Sequence, residues 1–304
     1  MQERDLAGYG ANPPHAEWPG GARVAVSLVL NVEEGSERAV SRGDLENEPV
    51  YDMIDDIRGQ PNLTMESHFD YGTRAGYWRI VRVLEQHDAL CTLNACAEAL
   101  ALSPWLASDA LARGHEISCH GDRWQTPLGM SEAEERAWIA KAAATIEQIA
   151  GVHPRGWHCR CPHTPDTRRL LVEHGSFLYD SDAYDDDLPR LVEIGGRRHV
   201  ILPYSLDTND MRFQRPEAGF VRARDFSDYV IDAFDWLWQE GAARPKMMTI
   251  GLHLRIIGRP ARIGGLDRAL AHMRAKGAVW FARRDQIAEH WIARFGGATE
   301  NHGT

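Results

Sequence analysis

The side chains best suited to chemistry in this chain stand at the ends of short apolar runs. Arg23–Val32 leads into Glu33, Glu34 and Gly35, with Asn31 one residue before its end. The run 116–120 closes on His120 and Gly121, and 156–159 brings His158 and Cys159 up to Arg160. The run 177–180 passes into Ser181 and Asp182, and 199–204 is followed by Asp207, Thr208, Asn209 and Asp210. The run 247–254 carries His253. A strand end is polar wherever it meets solvent, so any one of these needs no function. Carboxylates, imidazoles, amides and a guanidinium brought to one place are the equipment of acid–base catalysis. A carboxylate beside a neutral imidazole can take the proton of a water molecule near neutral pH. Either Glu33 or Glu34 can be that base, and either His120 or His253 the acid that protonates a departing group.

The elements that must position these groups alternate. Arg23–Val32 is apolar nearly throughout, the pattern of a strand covered on both faces. Similar short runs occur near 90–96, 116–120, 156–159, 177–180, 199–204, 247–254 and 279–282. Helical spacing lies between them. Ser131 with Glu134 forms a capping box before Trp138, Ala142, Ile146 and Ile149, and Gly151 supplies the stop. Thr164 and Pro165 open a helix that ends near Gly175; Phe226, Val230, Phe234 and Leu237 mark one ending at Gly241; Ile263, Leu266, Leu270 and Met273 mark one ending at Gly277. Strand–helix alternation implies a parallel sheet with right-handed crossovers, and seven or eight such units close most readily into a barrel, with an open doubly wound sheet the alternative. The expectation is one α/β domain over 1–304, with an N-terminal arm at 1–22 and a long polar, acidic loop at 35–73 containing Asp44, Glu46, Glu48, Asp52, Asp55 and Asp56. The carboxyl ends of barrel strands form the mouth of an active site, where the groups above would meet.

Composition narrows the classes. With 43% hydrophobic residues and ten tryptophans among 304 residues, the chain can bury a core of single-barrel size. A formal charge of −10 disfavours nucleic acid and anionic membrane surfaces as partners. No apolar stretch reaches membrane-spanning length. The start, Met1 to Asp5, lacks the layout of a cleaved signal peptide, and five cysteines form an odd set, so a reduced cytoplasm is the expected location.

The same strand ends resemble the polysaccharide deacetylase, or NodB-homology, superfamily. Glu33-Glu34-Gly35 stands where that family has two acids and a glycine. His120 matches the first histidine of its second motif, while Trp124 occupies the place of the histidine four residues on. Arg160-Cys161-Pro162 matches its Arg-x-Pro, and Ile250-Gly251-Leu252-His253 its last motif. Segments at Arg4–Pro14, Asn31–Arg38, Met65–Ser67, Tyr71–Gly76, Tyr184–Pro189, Leu206–Phe213 and Gly258–Arg262 are similar to the bacterial allantoinases of this superfamily, and to cyclic imide hydrolases. The resemblance implies a distorted (β/α) barrel, short of one strand, and ring opening of a cyclic ureide or imide without metal. The segment Gly156–Pro165 departs from the allantoinase pattern, so some cyclic amide other than allantoin is the expected preference.

Trp124 decides the expectation about metal. A catalytic zinc takes three protein ligands and a water. Glu34 and His120 would supply two, and an indole N–H only donates. His158, His163 or Cys159 would have to complete the set, so no tightly bound metal is expected, with zinc through Glu34 and His120 the alternative. In the enzymatic reading Trp124 walls a pocket for a small flat ring. Arg160 holds an acidic group or a developing oxyanion, Asn31 and Asn209 bond the ring, and Asp182 lines the mouth. A metal-dependent N-deacetylase of amino sugars is the competing enzymatic reading, and a non-catalytic ligand-binding barrel the competing class. The allantoinase likeness and the long loop point to a homo-oligomer, with a tetramer the leading candidate.

Overall fold

The computed structural model describes residues 4–50, 57–215, 217 and 219–297. Asp52, Asp55 and Asp56 of the acidic loop lie outside them. The strands are β1 (Val24–Val32), β2 (Cys91–Ala95), β3 (Glu116–Cys119), β4 (Gly156–Trp157), β5 (Tyr179–Asp180), β6 (Arg190–Ile194), β7 (Arg197–Ile201), β8 (Lys246–His253) and β9 (Val279–Phe281). The helices are α1 (Leu63–Tyr71), α2 (Tyr77–Gln86), α3 (Ala97–Leu102), α4 (Trp105–Ala112), α5 (Glu132–Ala150), α6 (Thr167–His174), α7 (Ala223–Glu240), α8 (Leu254–Ile257), α9 (Pro260–Lys276) and α10 (Arg284–Phe295).

The sheet runs β6-β7-β5-β4-β3-β2-β1-β8, and every pairing is parallel except β6 with β7. β1, which pairs with β2, β8 and β9, is buried along its whole length, as an apolar run covered on both faces must be. One edge of β1 pairs with β8, from Val24↔Lys246 to Asn31↔His253. The other edge meets β9 through Val24–Val26 and β2 through Leu28–Val32.

The curled sheet is a distorted barrel that stays open between β7 and β8. A single parallel bridge, Asn209↔Gly251, spans that seam, with the Thr249 hydroxyl donating to the Pro203 carbonyl at 3.0 Å. The buried Arg284 side chain pins the same region from inside. Its guanidinium donates to Ser27 Oγ (3.2 Å), Thr249 Oγ1 (3.1 Å), Ser181 Oγ (3.0 Å) and the Pro203 carbonyl (3.1 Å).

Two expectations need correction. The stretch 35–73 is not one loop, because Asn62 caps Met65 N at 3.0 Å and opens α1, whose Met65 and Phe69 are buried. The helix after Thr164 begins at Thr167: the Thr164 hydroxyl accepts from Asp166 N and Thr167 N and so turns the chain before the helix. Elsewhere the start and stop residues hold, with the Ser131–Glu134 box on α5 and Gly151 left-handed at its end.

Candidate active site

The two glutamates leave β1 in different directions. Gly35, at φ 87°, allows a tight turn in which Ser36 N donates to the Glu33 carbonyl at 2.9 Å. Glu33 points into the barrel mouth and is 1% exposed. Its Oε1 lies 3.4 Å from His120 Nε2 and 3.4 Å from His253 Nε2, and its Oε2 lies 2.7 Å from an Arg255 nitrogen. Glu34 folds back instead. Its Oε2 accepts from Glu33 N at 3.0 Å, and it lies so close to Gly72 that a Cβ there would sit 2.2 Å from Glu34 Oε1. Gly72 opens a π-helical turn, Gly72–Gly76, wedged between α1 and α2, the kind of irregularity that often marks a working site.

Each imidazole is oriented from behind. His120 Nδ1 donates to the His158 carbonyl, which turns Nε2 toward Glu33. His253 Nδ1 donates to Asp210 Oδ1 at 2.6 Å, while Asp210 Oδ2 accepts from His253 N (2.8 Å) and Ile257 N (3.0 Å). Asp210 thus fixes the end of β8, both ends of α8 and one imidazole at once.

The charges split in consequence. Burial pushes the Glu33 carboxyl up, but Arg255, His253 and the two imidazole hydrogen bonds outweigh it and hold it well below the usual range. Burial raises Glu34, Arg255 opposes it and the neighbouring Glu33 carboxylate adds to it, leaving Glu34 above its ordinary value. Burial alone would depress His253, yet Glu33 and Asp210 lift it to about 9. At neutral pH the centre therefore presents an ionised Glu33 and a protonated His253.

Around this centre the predicted contacts are distributed unevenly. Asn31 donates to the Tyr204 hydroxyl at 3.0 Å and to the Leu252 carbonyl at 3.2 Å, while Asn94 donates to Asn31 Oδ1 at 3.1 Å. Asn209 also donates to the Tyr204 hydroxyl, at 3.3 Å, and its Oδ1 caps Met211 N. Both amides thus donate to the Tyr204 hydroxyl. Trp124 lines the wall beside Phe69 and stacks under Arg160, 4.0 Å from ring to guanidinium. Arg160 is taken up by Glu48, which grips it at 2.8 and 2.9 Å. Asp182 turns away too, accepting from Cys159 N at 3.2 Å beside its thiol.

His158 is stacked on Tyr204 at 4.2 Å, and burial, then the charges of His120 and Arg284, keep it neutral. Arg255 was not singled out in the sequence, and Asp210 stood there only as one of the polar residues after the run 199–204, without a role. A signal for the first existed: an arginine inside the apolar run Leu254-Arg255-Ile256-Ile257 must be buried against an acid.

These residues do not fit a divalent ion. The indole of Trp124 has no lone pair to give, and Arg255 already sits on Glu33. His158 bonds Tyr184 at 3.1 Å and Cys159 faces Asp182, so neither completes a set. Among the described residues no group of three His, Cys, Asp or Glu side chains is disposed to hold an ion. Nor is any described helix long and apolar enough to cross a membrane.

Comparison with known proteins matches this geometry to a family. The polysaccharide deacetylase model matches residues 59–174. A Schizosaccharomyces pombe protein (strain 972 / ATCC 24843), named among the polysaccharide deacetylases, is 34% identical over 96% of this chain and 98% of its own. The structure of the PuuE allantoinase superposes with a TM-score of 0.93 at 45% identity, covering 98% of this chain and 100% of that one. A probable polysaccharide deacetylase from Pseudomonas aeruginosa PAO1 superposes at 0.92 with 44% identity, over 97% and 99% of the two chains. The chain belongs to the polysaccharide deacetylase family and is a hydrolase.

Proposed function

We propose that this hydrolase opens small cyclic amides, a ureide or imide ring, by adding water to a ring carbonyl. The observation that carries the reading is the convergence of both imidazoles on one oxygen of an ionised Glu33, with His253 protonated. Glu33 takes the proton of the attacking water as its oxygen bonds the ring carbon. His253 Nε2 then delivers a proton to the ring nitrogen as the C–N bond breaks, and the proton on Glu33 passes 3.4 Å to His253 to restore the site. The Nε2 side of His120 completes the reacting face, and the Tyr204 hydroxyl offers the ring a hydrogen bond. Trp124 and Phe69 give the flat walls. The work is done by these side chains without a metal, in the cytoplasm.

The likeness to the PuuE allantoinase supports the ring-opening class. The wall built by Gly156–Pro165, which sets His158 beside Tyr204, supports a preference for a cyclic amide other than allantoin. The deacetylase names of the other relatives favour a second reading, hydrolysis of an N-acetyl group, which needs the same base and acid. Steady-state kinetics on allantoin, hydantoin, succinimide, dihydrouracil and N-acetylglucosamine oligomers separate the two. The expected result is the highest kcat/KM on a cyclic amide other than allantoin. Turnover of the acetylated sugars alone overturns the ring-opening reading, and a clear preference for allantoin overturns the narrower one. Prolonged treatment with EDTA is expected to leave the rate unchanged. Loss of activity restored by stoichiometric zinc would mean that the site takes a metal after all.

A further inference from the structure

Arg255 is a fully buried cation whose partners are the two glutamates. Its guanidinium is 1% exposed and lies 2.7 Å from Glu33 Oε2 and 3.7 Å from Glu34 Oε1. Phe69 covers one side at 4.2 Å and Trp124 stands at 5.2 Å, so it has a fixed seat with aromatic walls. Among the described residues, Glu33 Oε2, Glu34 Oε1, Arg255 Nε and the Arg255 nitrogen nearest Glu33 lack a well-angled hydrogen bond although all are buried. These groups are held together by charge rather than by hydrogen-bond geometry.

The backbone that carries Arg255 is held as firmly. Asp210 anchors His253 N and Ile257 N, the two ends of α8. On the opposite side Gly76 and Gly258 pack so closely that a Cβ on Gly258 would sit 2.5 Å from the Gly76 Cα. A Cβ on Gly76 would meet the Leu254 carbonyl at 2.1 Å. The π-helical turn and the glycines therefore let α8 approach until its arginine reaches the glutamates.

We infer that Arg255 is a built-in cation that stands where an ion would otherwise neutralise the Glu33–Glu34 pair, positioning Glu33 for the reaction and keeping divalent metal out. Its role as a positioning residue rests on the hydrolytic reading above; its exclusion of metal does not. A point cation between two buried carboxylates, with two imidazoles opposite, is the surrounding in which a divalent ion is at home. The guanidinium supplies that charge covalently. Being always protonated, it does so at any working pH.

The test compares wild type, Arg255→Lys and Arg255→Met. With zinc or cobalt alone, titrated by calorimetry and by cobalt absorption, wild type and Arg255→Lys are expected to bind weakly. Arg255→Met is expected to bind at least about tenfold more tightly, through the freed carboxylates and imidazoles. With the best substrate from the panel, Arg255→Met should lose turnover on the order of 10²-fold. Its acid limb should move to higher pH, and added guanidinium should restore part of the rate. Equal metal affinity in wild type and Arg255→Met overturns the exclusion, and an unmoved acid limb overturns the positioning. Should Arg255→Met fail to fold, wild type still decides: uptake of one equivalent of zinc with shifted His120 and His253 NMR signals refutes the inference. A substrate panel that yields no activity sinks the hydrolytic reading and leaves the metal titrations standing.

Discussion

The adjacent glutamates carry different duties because they meet different neighbours. Glu33 touches both imidazoles, whereas Glu34 touches a backbone N–H and the wall at Gly72. Glu33→Gln is therefore expected to lower kcat on the order of 10²–10⁴-fold, the usual worth of a positioned base. Glu34→Gln should cost less than about tenfold, because the raised Glu34 is closer to neutral already and Gln preserves its shape. Equal losses in the two variants, measured on the best substrate, would reverse the assignment.

The pH profile follows from the same neighbours. His253 is lifted to about 9, above the ordinary 6.5, by Glu33 and Asp210 against the opposing effect of burial. A raised imidazole stabilises the fold fully below the unfolded value and loses that contribution as pH climbs through about 9. Activity should fall on the same limb as the acid is lost. Removing one carboxylate with Asp210→Asn should move the alkaline limb of kcat/KM down by roughly one unit or more. Glu33 acts at the other end: its lowered value means that its contribution is present above the ordinary carboxylate range and lost only as pH drops below it. An alkaline limb that stays put in Asp210→Asn removes His253 as the acid.

At the scale of elements, three local devices aim the side chains: the Glu33–Ser36 turn, the π-helical turn at 72–76 and the short helix α8. The second gives a sharp test. Gly72 has ordinary helical angles, so alanine there costs no backbone strain, but its Cβ would strike Glu34. Gly72→Ala should destabilise by about 1–3 kcal/mol through overpacking and reduce kcat, seen by denaturation and kinetics together. Ser131→Ala on α5 is the contrast. It removes one N-cap, costs about 1 kcal/mol, and should leave kcat and KM untouched because α5 meets the site only through the scaffold. If Gly72→Ala is as stable and active as wild type, the close packing of Glu34 has no bearing on the reaction.

At the scale of the molecule, the open seam between β7 and β8 depends on Arg284. Its partners are hydroxyls and carbonyls on both sides of the gap. Arg284→Met would leave buried acceptors unpaired, at about 1–3 kcal/mol for each one that stays dry, and should lower the melting temperature by several degrees or prevent folding. The surface also bears on assembly. Trp78 and Trp105 stack at 4.9 Å, each 37% exposed, with Leu102 nearby in sequence at 56%. An apolar cluster of this kind is suited to contact with another copy, and sedimentation is expected to show a homo-oligomer. A monomer at micromolar concentration ends that expectation.

The sequence determined the framework. A strand apolar along nearly its whole length, helices with readable caps and chemistry at strand ends are local signals, and they led to the barrel and to Glu33, Glu34, His120 and His253, while the family resemblance pointed to Trp124. Long-range pairing decided the rest. Nothing near Arg160 in the chain announces Glu48, 112 residues away, which takes the guanidinium assigned to substrate. Asp210 and His253 are 43 residues apart and meet because their two segments bridge the seam. Arg255 reaches Glu33 where Gly76 and Gly258 let the π-helical turn and α8 close to backbone contact. Which polar groups remain free for a substrate depends on which find partners across the fold. That choice is made when burial makes an unpaired charge costly, a condition that exists only once the tertiary structure has formed.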